Sequence, residues 1–207
     1  IYVGHRRRLL RSERTEVPAV VGLDLRLPPG QVTGLLGLNG AGKTTTIKVL
    51  STLLLPTSGR ITVDGLDLAK DAVAIRRKIN MVAGGERMVY WRLTGRENLW
   101  YFAQLYDVPR DGLRQRIEEL LRLVGLEAAA DTPVERYSKG MKQRLQIARG
   151  LINDPQYLFL DEPTIGLDAP IAREVRQMIG RMAADGRGVL LTSHYLQEVD
   201  DLCAQVY

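Results

Sequence analysis

The sequence predicts an α/β fold: a mostly parallel core sheet, an antiparallel β subdomain and an α-helical insert. Three observations predict it. Apolar strand-like runs alternate with helical patterns toward both ends of the chain, the order that builds a parallel sheet. A glycine-rich loop joins a buried strand to a helix. Between these two β/α portions the middle of the chain reads as helix after helix. With 207 residues the chain can bury a core of its own as one domain.

The elements follow in order. Arg6, Arg7, Arg8, Arg11 and Arg14 form a basic run, expected as a solvated loop that could also touch lipid headgroups. Val17 to Leu27 alternates like a strand and turns at Pro28-Pro29-Gly30. Gln31 to Leu36 is a buried strand. Lys43 to Leu54 is a helical run that Pro56-Thr57-Ser58-Gly59 ends. Arg60 to Asp64 is a short strand turning at Asp64-Gly65, a strong hairpin signal, and Ile79 to Ala83 is another strand.

In the middle, Thr94-Gly95-Arg96-Glu97 is a capping box that opens a helix carrying Leu99, Trp100 and Phe102. Asp111 is expected to cap a second helix, with Leu113, Ile117, Leu120, Leu121 and Val124 at helical spacing and Gly125 as its stop. Ser138 opens a third, through Leu145, Ile147 and Ala148. The β/α pattern resumes with a strand from Gln156 to Leu160, a helix starting at Asp168-Ala169-Pro170, and a strand from Gly188 to Thr192. A last helix starts at Ser193 and its pattern runs on to Tyr207. The expected division is a core of residues 1–84 and 153–207 with the helical insert at 85–152. Both termini are expected to be incomplete, since the first residue is Ile1 and the last lies inside a helical pattern.

Composition narrows the setting. No stretch approaches the ~20 apolar residues that cross a bilayer, so a membrane role would come through a partner. The single cysteine, Cys203, excludes an intrachain disulfide and suits a reducing compartment. A net charge of +5 suits phosphates, lipid or nucleic acid without choosing among them.

Gly37-Leu38-Asn39-Gly40-Ala41-Gly42-Lys43-Thr44 fits G-x-x-x-x-G-K-[ST] between a strand and a helix, the context that motif requires. Its glycines let backbone N–H groups wrap phosphates, and the helix start adds a partial positive charge. Lys43 would reach the outer phosphates of a nucleotide; the Thr44 hydroxyl would ligate Mg²⁺, and Thr45 continues the loop's N–H row. Tyr157 to Leu160 is an apolar strand closed by Asp161 and Glu162, where α/β sheets bind ligands. Asp161 would hold Mg²⁺, and Glu162 would orient or deprotonate a water.

With these motifs stand Tyr137-Ser138-Lys139-Gly140-Met141-Lys142-Gln143 before the Asp161 strand, Gly166-Leu167-Asp168 after Glu162, and His194 after a further strand. This order and spacing resemble the nucleotide-binding domains of ABC transporters, from about Val17 to the C-terminus, hence a P-loop NTPase fold of the ABC type. The resemblance implies an ATPase with ATP and Mg²⁺ as cofactors. It would act on the cytoplasmic side of a membrane beside a transmembrane permease and pair with a second nucleotide-binding subunit, identical or paralogous. No nucleic acid is implied. Ser138, Lys139, Gly140 and Met141 would read the γ-phosphate bound to the opposite subunit, Asp168 would be the acid linking the two sites, and His194 would contact the γ-phosphate and water.

Tyr137, Lys139 and Met141 depart from the family's Leu-Ser-Gly-Gly-Gln, and Lys139 would add positive charge near the phosphate. Gly85 stands where the family has a metal-ligating glutamine; either Glu86 substitutes or the link from metal to permease is looser. The usual spacing puts the adenine-stacking aromatic near Arg14, and Tyr2 takes that role if the basic stretch between them is an inserted loop. Of the aromatics, Trp100 and Phe102 are expected in a core, while Tyr90 and Trp91 lie where the family's permease docks; Tyr101 belongs to the same group. The Gly85-Glu86 region and Thr164-Ile165-Gly166-Leu167-Asp168 look most like exporter ATPases for drugs and lipids. The rivals are an importer, an ABC-type ATPase acting on ribosomes or DNA, and a GTPase-like switch.

Overall fold

The computed structural model describes residues 2–8, 11–83 and 89–207, the first two strands by their backbone. Its centre is a five-stranded, all-parallel sheet in the order β6-β7-β8-β3-β9. The strands are β3 (Val32–Leu36), β6 (Ile79–Ala83), β7 (Tyr157–Asp161), β8 (Gly188–Ser193) and β9 (Gln205–Val206). Two antiparallel hairpins accompany it: β1 (Tyr2–Arg8) with β2 (Arg11–Val17), and β4 (Thr62–Val63) with β5 (Leu66–Asp67).

Alternation along the central strands explains why the sheet is covered on both sides. Val32, Val82, Leu158, Leu160, Val189 and Leu191 join one core with α6 (Ala169–Ala184) and the helices of the middle segment. The intervening Leu35, Ile79, Phe159 and Leu190 join a second core with α1 (Lys43–Leu50) and α2 (Ala72–Lys78) through Ile47 and Ile75. Strands apolar on both faces are what a parallel sheet between two helical layers needs. The middle segment holds α3 (Gly95–Leu105), α4 (Leu113–Leu123) and α5 (Lys139–Gly150), between β6 and β7. Thr94 and Glu97 form the expected capping box, each side chain bonded to the other's backbone N–H. α7 (Leu196–Leu202) follows β8.

Several sequence expectations are corrected. The strand read from Val17 to Leu27 ends where it was to begin: Pro18 lacks an N–H for a ladder, and residues 18–27 run irregularly with Leu25 and Leu27 resting on the second core. The basic stretch before it is two paired strands rather than a loop. α1 stops at Leu50, because Thr52 turns left-handed and the N–H groups of Leu53 and Leu54 return to Lys48 O. The N-cap of α4 is Gly112, at φ 71°, not Asp111. Asp168 occupies the N-cap position of α6 without a side-chain bond to the helix; Pro170 in the first turn sets the start instead. α2 was not anticipated. The last helix begins at Leu196, three residues after Ser193, and the end of the chain pairs with β3 instead of continuing as helix. Trp100 is 52% exposed, whereas Phe102 is partly buried against the first core.

Candidate active site at the carboxyl ends of the strands

β3, β7 and β8 are neighbours in the sheet, so their carboxyl ends deliver three loops to one place. A cleft of about 700 Å³ opens there, lined by Asn39, Gly40, Gly42, Lys43, Thr44, Thr45, Asp161, Glu162 and Ile165, with Val17, Pro18 and Ala19 as its other wall. That volume suits a cofactor-sized ligand.

The glycine-rich loop links β3 to α1, with Gly40 at φ 86° and Gly42 at φ 91°. Gly42 meets two demands. Its backbone is left-handed, and a Cβ there would collide with the carbonyl oxygen of Ala19. The segment after β2 can therefore lie directly on the loop. Lys43 is buried, its ammonium donating to Gly37 O at 2.6 Å and Leu38 O at 3.1 Å, 3.7 Å from Glu162 Oε1.

The two acids are anchored from either side. Thr44 donates its hydroxyl to Asp161 Oδ2 at 2.8 Å. Thr192, directly across the β7–β8 register from Asp161, donates to Asp161 Oδ1 at 2.6 Å. Its hydroxyl oxygen also accepts the Glu162 N–H at 3.0 Å. Glu162 has φ 49°, a left-handed conformation uncommon for a side chain of its size. This kink lets its carboxylate reach His194, whose Nδ1 lies 3.1 Å from Glu162 Oε1. Sequence reasoning missed Thr192; a hydroxyl residue two positions before His194, at the end of an apolar strand, was the available signal.

Ser138 to Met141 lie elsewhere. Ser138 is the N-cap of α5, accepting the Met141 N–H on its hydroxyl oxygen at 3.2 Å, as a capping serine does. Ser138 and Lys139 are exposed, and none of the four residues lines the cleft. The Lys139 ammonium lies against Gly166, and the missing side chain of Gly140 lets the start of α5 close onto Ile171. The loop from Glu162 to Asp168 thus runs from the cleft to the start of α5. Tyr2 pairs across the β1–β2 register with Val17, a cleft residue, while Arg14 pairs with His5 farther along. Gly85 and Glu86 fall outside the described residues.

A lysine-bearing glycine loop between a parallel strand and a helix, facing an Asp-Glu pair on the next strand but one, defines a P-loop nucleoside triphosphatase. Comparison with known proteins narrows the class. The ABC transporter family profile matches residues 20–165. The chain is 39% identical over 199 residues to the ABC transporter ATP-binding protein NatA of Bacillus subtilis, covering 96% of this chain and 81% of NatA. It is 44% identical to the daunorubicin resistance ATP-binding protein DrrA3 of Streptomyces coeruleorubidus, covering 91% of this chain and 59% of that one. It is 42% identical to a fluoroquinolones export ATP-binding protein of Mycobacterium tuberculosis, covering 95% and 64%. The chain therefore spans about three fifths of the length of these resistance and export relatives.

Among solved structures, CbiO1 of Clostridium perfringens, part of the ABC transporter complex cbiONQ, superposes with a TM-score of 0.83 at 27% identity, covering 98% of this chain and 80% of that one. An ATP-binding subunit of an ABC transporter gives 0.76 at 28% identity, covering 96% and 80%. The chain belongs to the ABC transporter family, as its ATP-binding and ATP-hydrolysing part.

Proposed function

We propose that this chain powers export of a drug- or lipid-like molecule through a separate membrane permease, on the cytoplasmic face, and that it works as a pair with an identical or paralogous subunit. The observation that carries the reading is the separation within one chain of the cleft from the exposed Ser138 helix start. A nucleotide held by Lys43 reaches only half of its contacts, and a second chain must bring Ser138 to complete the set. In the names of relatives, daunorubicin resistance, fluoroquinolone export and Nod factor export recur, which supports the direction. No helix among the described residues is long and apolar enough to cross a membrane. Tyr90, Trp91 and Trp100, each about half exposed on the helical segment, would receive the permease.

In this reading residues 1–84 and 153–207 are the core that holds nucleotide, and 85–152 is an arm carrying Ser138 to the partner. The N–H groups of Gly37, Leu38, Asn39, Gly40, Ala41, Gly42, Lys43, Thr44 and Thr45 cradle the phosphates. Tyr2, beside Val17 in the hairpin register, stacks on adenine. Glu86, outside the described residues, would substitute for the missing glutamine, or the link from metal to permease is looser.

The residues present fit a magnesium ion. A threonine hydroxyl and an aspartate oxygen meet at the cleft floor, both hard oxygen donors. Among the described residues no three His, Cys, Asp or Glu side chains form a cage, so the ion's remaining ligands would be phosphate and water. When bound, magnesium neutralises developing charge on the phosphates. This chain's own residues do the rest. Lys43 neutralises the outer phosphates. Glu162 orients the attacking water and takes its proton, and His194, bonded to Glu162, contacts the γ-phosphate. Asp168 links the two sites of the pair.

Glu162→Gln tests the reading. MgATP affinity should persist while hydrolysis falls by about 10²–10⁴-fold, and sedimentation with ATP should show a stable dimer. A variant that hydrolyses at the original rate, or stays monomeric when saturated with MgATP, refutes it.

A further inference from the structure

We propose that Glu198 is a positioning residue that holds His194 on Glu162. Glu198 lies on α7 and is 4% exposed. Its Oε1 accepts the hydroxyl of Thr164 at 2.6 Å, and its Oε2 accepts the hydroxyl of Ser193 at 2.7 Å. Thr164 comes two residues after Glu162, and Ser193 comes immediately before His194. One carboxyl group thus fastens the loop leaving β7 to the loop leaving β8 just behind the pair that does the chemistry. Ser193 is fixed further, its oxygen accepting the Tyr195 N–H at 3.0 Å.

Two arguments give this clasp a purpose. Burying a carboxyl group is costly, and an apolar residue of similar volume often serves stability as well or better. The Glu162–His194 pair is itself partly solvated, with side chains 20% and 26% exposed, so packing alone holds it loosely. A displacement of about 1 Å in reacting groups can cost roughly 100-fold in rate. Glu198 spans the gap where such a displacement would arise. It need not touch substrate to matter.

The inference rests on the proposed roles of Glu162 and His194, and the test separates the two. The full-length subunit with its membrane partner is assayed for MgATP affinity and for kcat. For Glu198→Ala, kcat should fall about 10- to 100-fold while the MgATP dissociation constant changes less than about twofold, the pattern of a lost transition-state interaction. Glu198→Gln keeps the shape, one acceptor and a donor that either hydroxyl oxygen can accept, so it should stay within about threefold of the parent. Adding Glu198→Ala to His194→Ala should cost no more than His194→Ala alone, because the clasp acts through the histidine. Thr164→Val and Ser193→Ala each remove one tether and should show smaller losses of the same kind, which keeps the proposal testable if Glu198→Ala fails to fold.

Losses that multiply in the double variant, Glu198→Gln as impaired as Glu198→Ala, or a matching loss of MgATP affinity would overturn the clasp. So would full activity in both single-tether variants. If His194→Ala itself retains full hydrolysis, the roles given to the site fail, and the clasp fails with them.

Discussion

Thr192 donates its hydroxyl to Asp161 Oδ1 at 2.6 Å from the adjacent strand. The same oxygen accepts the Glu162 N–H, so one fully buried threonine sets both acids. Thr192→Val keeps the shape and removes the hydroxyl. Both bonds go with the hydroxyl; at roughly 1 kcal/mol each, we expect hydrolysis to drop about 30-fold. Thermal unfolding together with steady-state phosphate release checks this; a variant that loses stability but not rate would confine Thr192 to the fold.

Lys43→Ala removes the one ammonium placed among the loop carbonyls of Gly37 and Leu38. A charge-assisted contact to phosphate is worth roughly 1.5–3 kcal/mol, so MgATP should bind about 10- to 100-fold more weakly. Fluorescent-nucleotide titration measures it. Unchanged affinity would place the triphosphate somewhere other than this cleft.

Gly42→Ala puts a side chain where the backbone is left-handed and the Ala19 oxygen already sits. Strain and collision together should destabilise the chain by about 2 kcal/mol or more. Gly40→Ala has the strain without the neighbour, since nothing lies within 4 Å of a Cβ there, and should cost less. Urea unfolding of the two variants side by side isolates the contribution of the Ala19 contact; equal losses would mean that strain alone sets the cost.

Asp64 gives a pH prediction. The hydrogen bond from Lys78, then that from Tyr157, hold its carboxyl below the ordinary value of 3.8, against a smaller opposing effect of burial. A carboxylate with a lowered folded-state value stabilises the fold above its unfolded value, and that stabilisation is lost as pH falls through the folded value. Asp64→Asn keeps the left-handed turn, at φ 50°, which asparagine tolerates. The variant should be less stable at neutral pH, with the difference from the parent shrinking only in acid below 3.8. Unfolding curves from neutral pH down to about pH 2 test the sign; a constant difference across that range would mean the loss is packing, not charge.

How far the sequence spoke depended on how local each cause was. Ile79 to Ala83, the capping box of Thr94 and Glu97, and the Ser138 helix start were legible because their signals lie within a few residues. The stretch after Val17 misled because Leu23, Leu25 and Leu27 alternate like a strand while Leu25 and Leu27 serve only to rest on a core built by others. β9 is two residues long and exists because β3 offers an edge; nothing near Gln205 announces it. Within the site, the loop and the Asp161-Glu162 pair stood out as motifs. Thr192, Thr164 and Glu198 did not, because the bonds from Thr192 to Asp161 and Glu162 and from Thr164 to Glu198 join residues 30 or more positions apart.

The left-handed backbone of Glu162 has a further consequence. A residue with a Cβ held in that conformation costs the native state about 1–2 kcal/mol, and the cost falls on the position we propose handles the water. Sturdiness and turnover are therefore opposed at a single residue. A lineage selected for heat resistance alone would drift toward glycine here and lose its chemistry, so a working chain of this kind has to be a little less robust than its architecture allows.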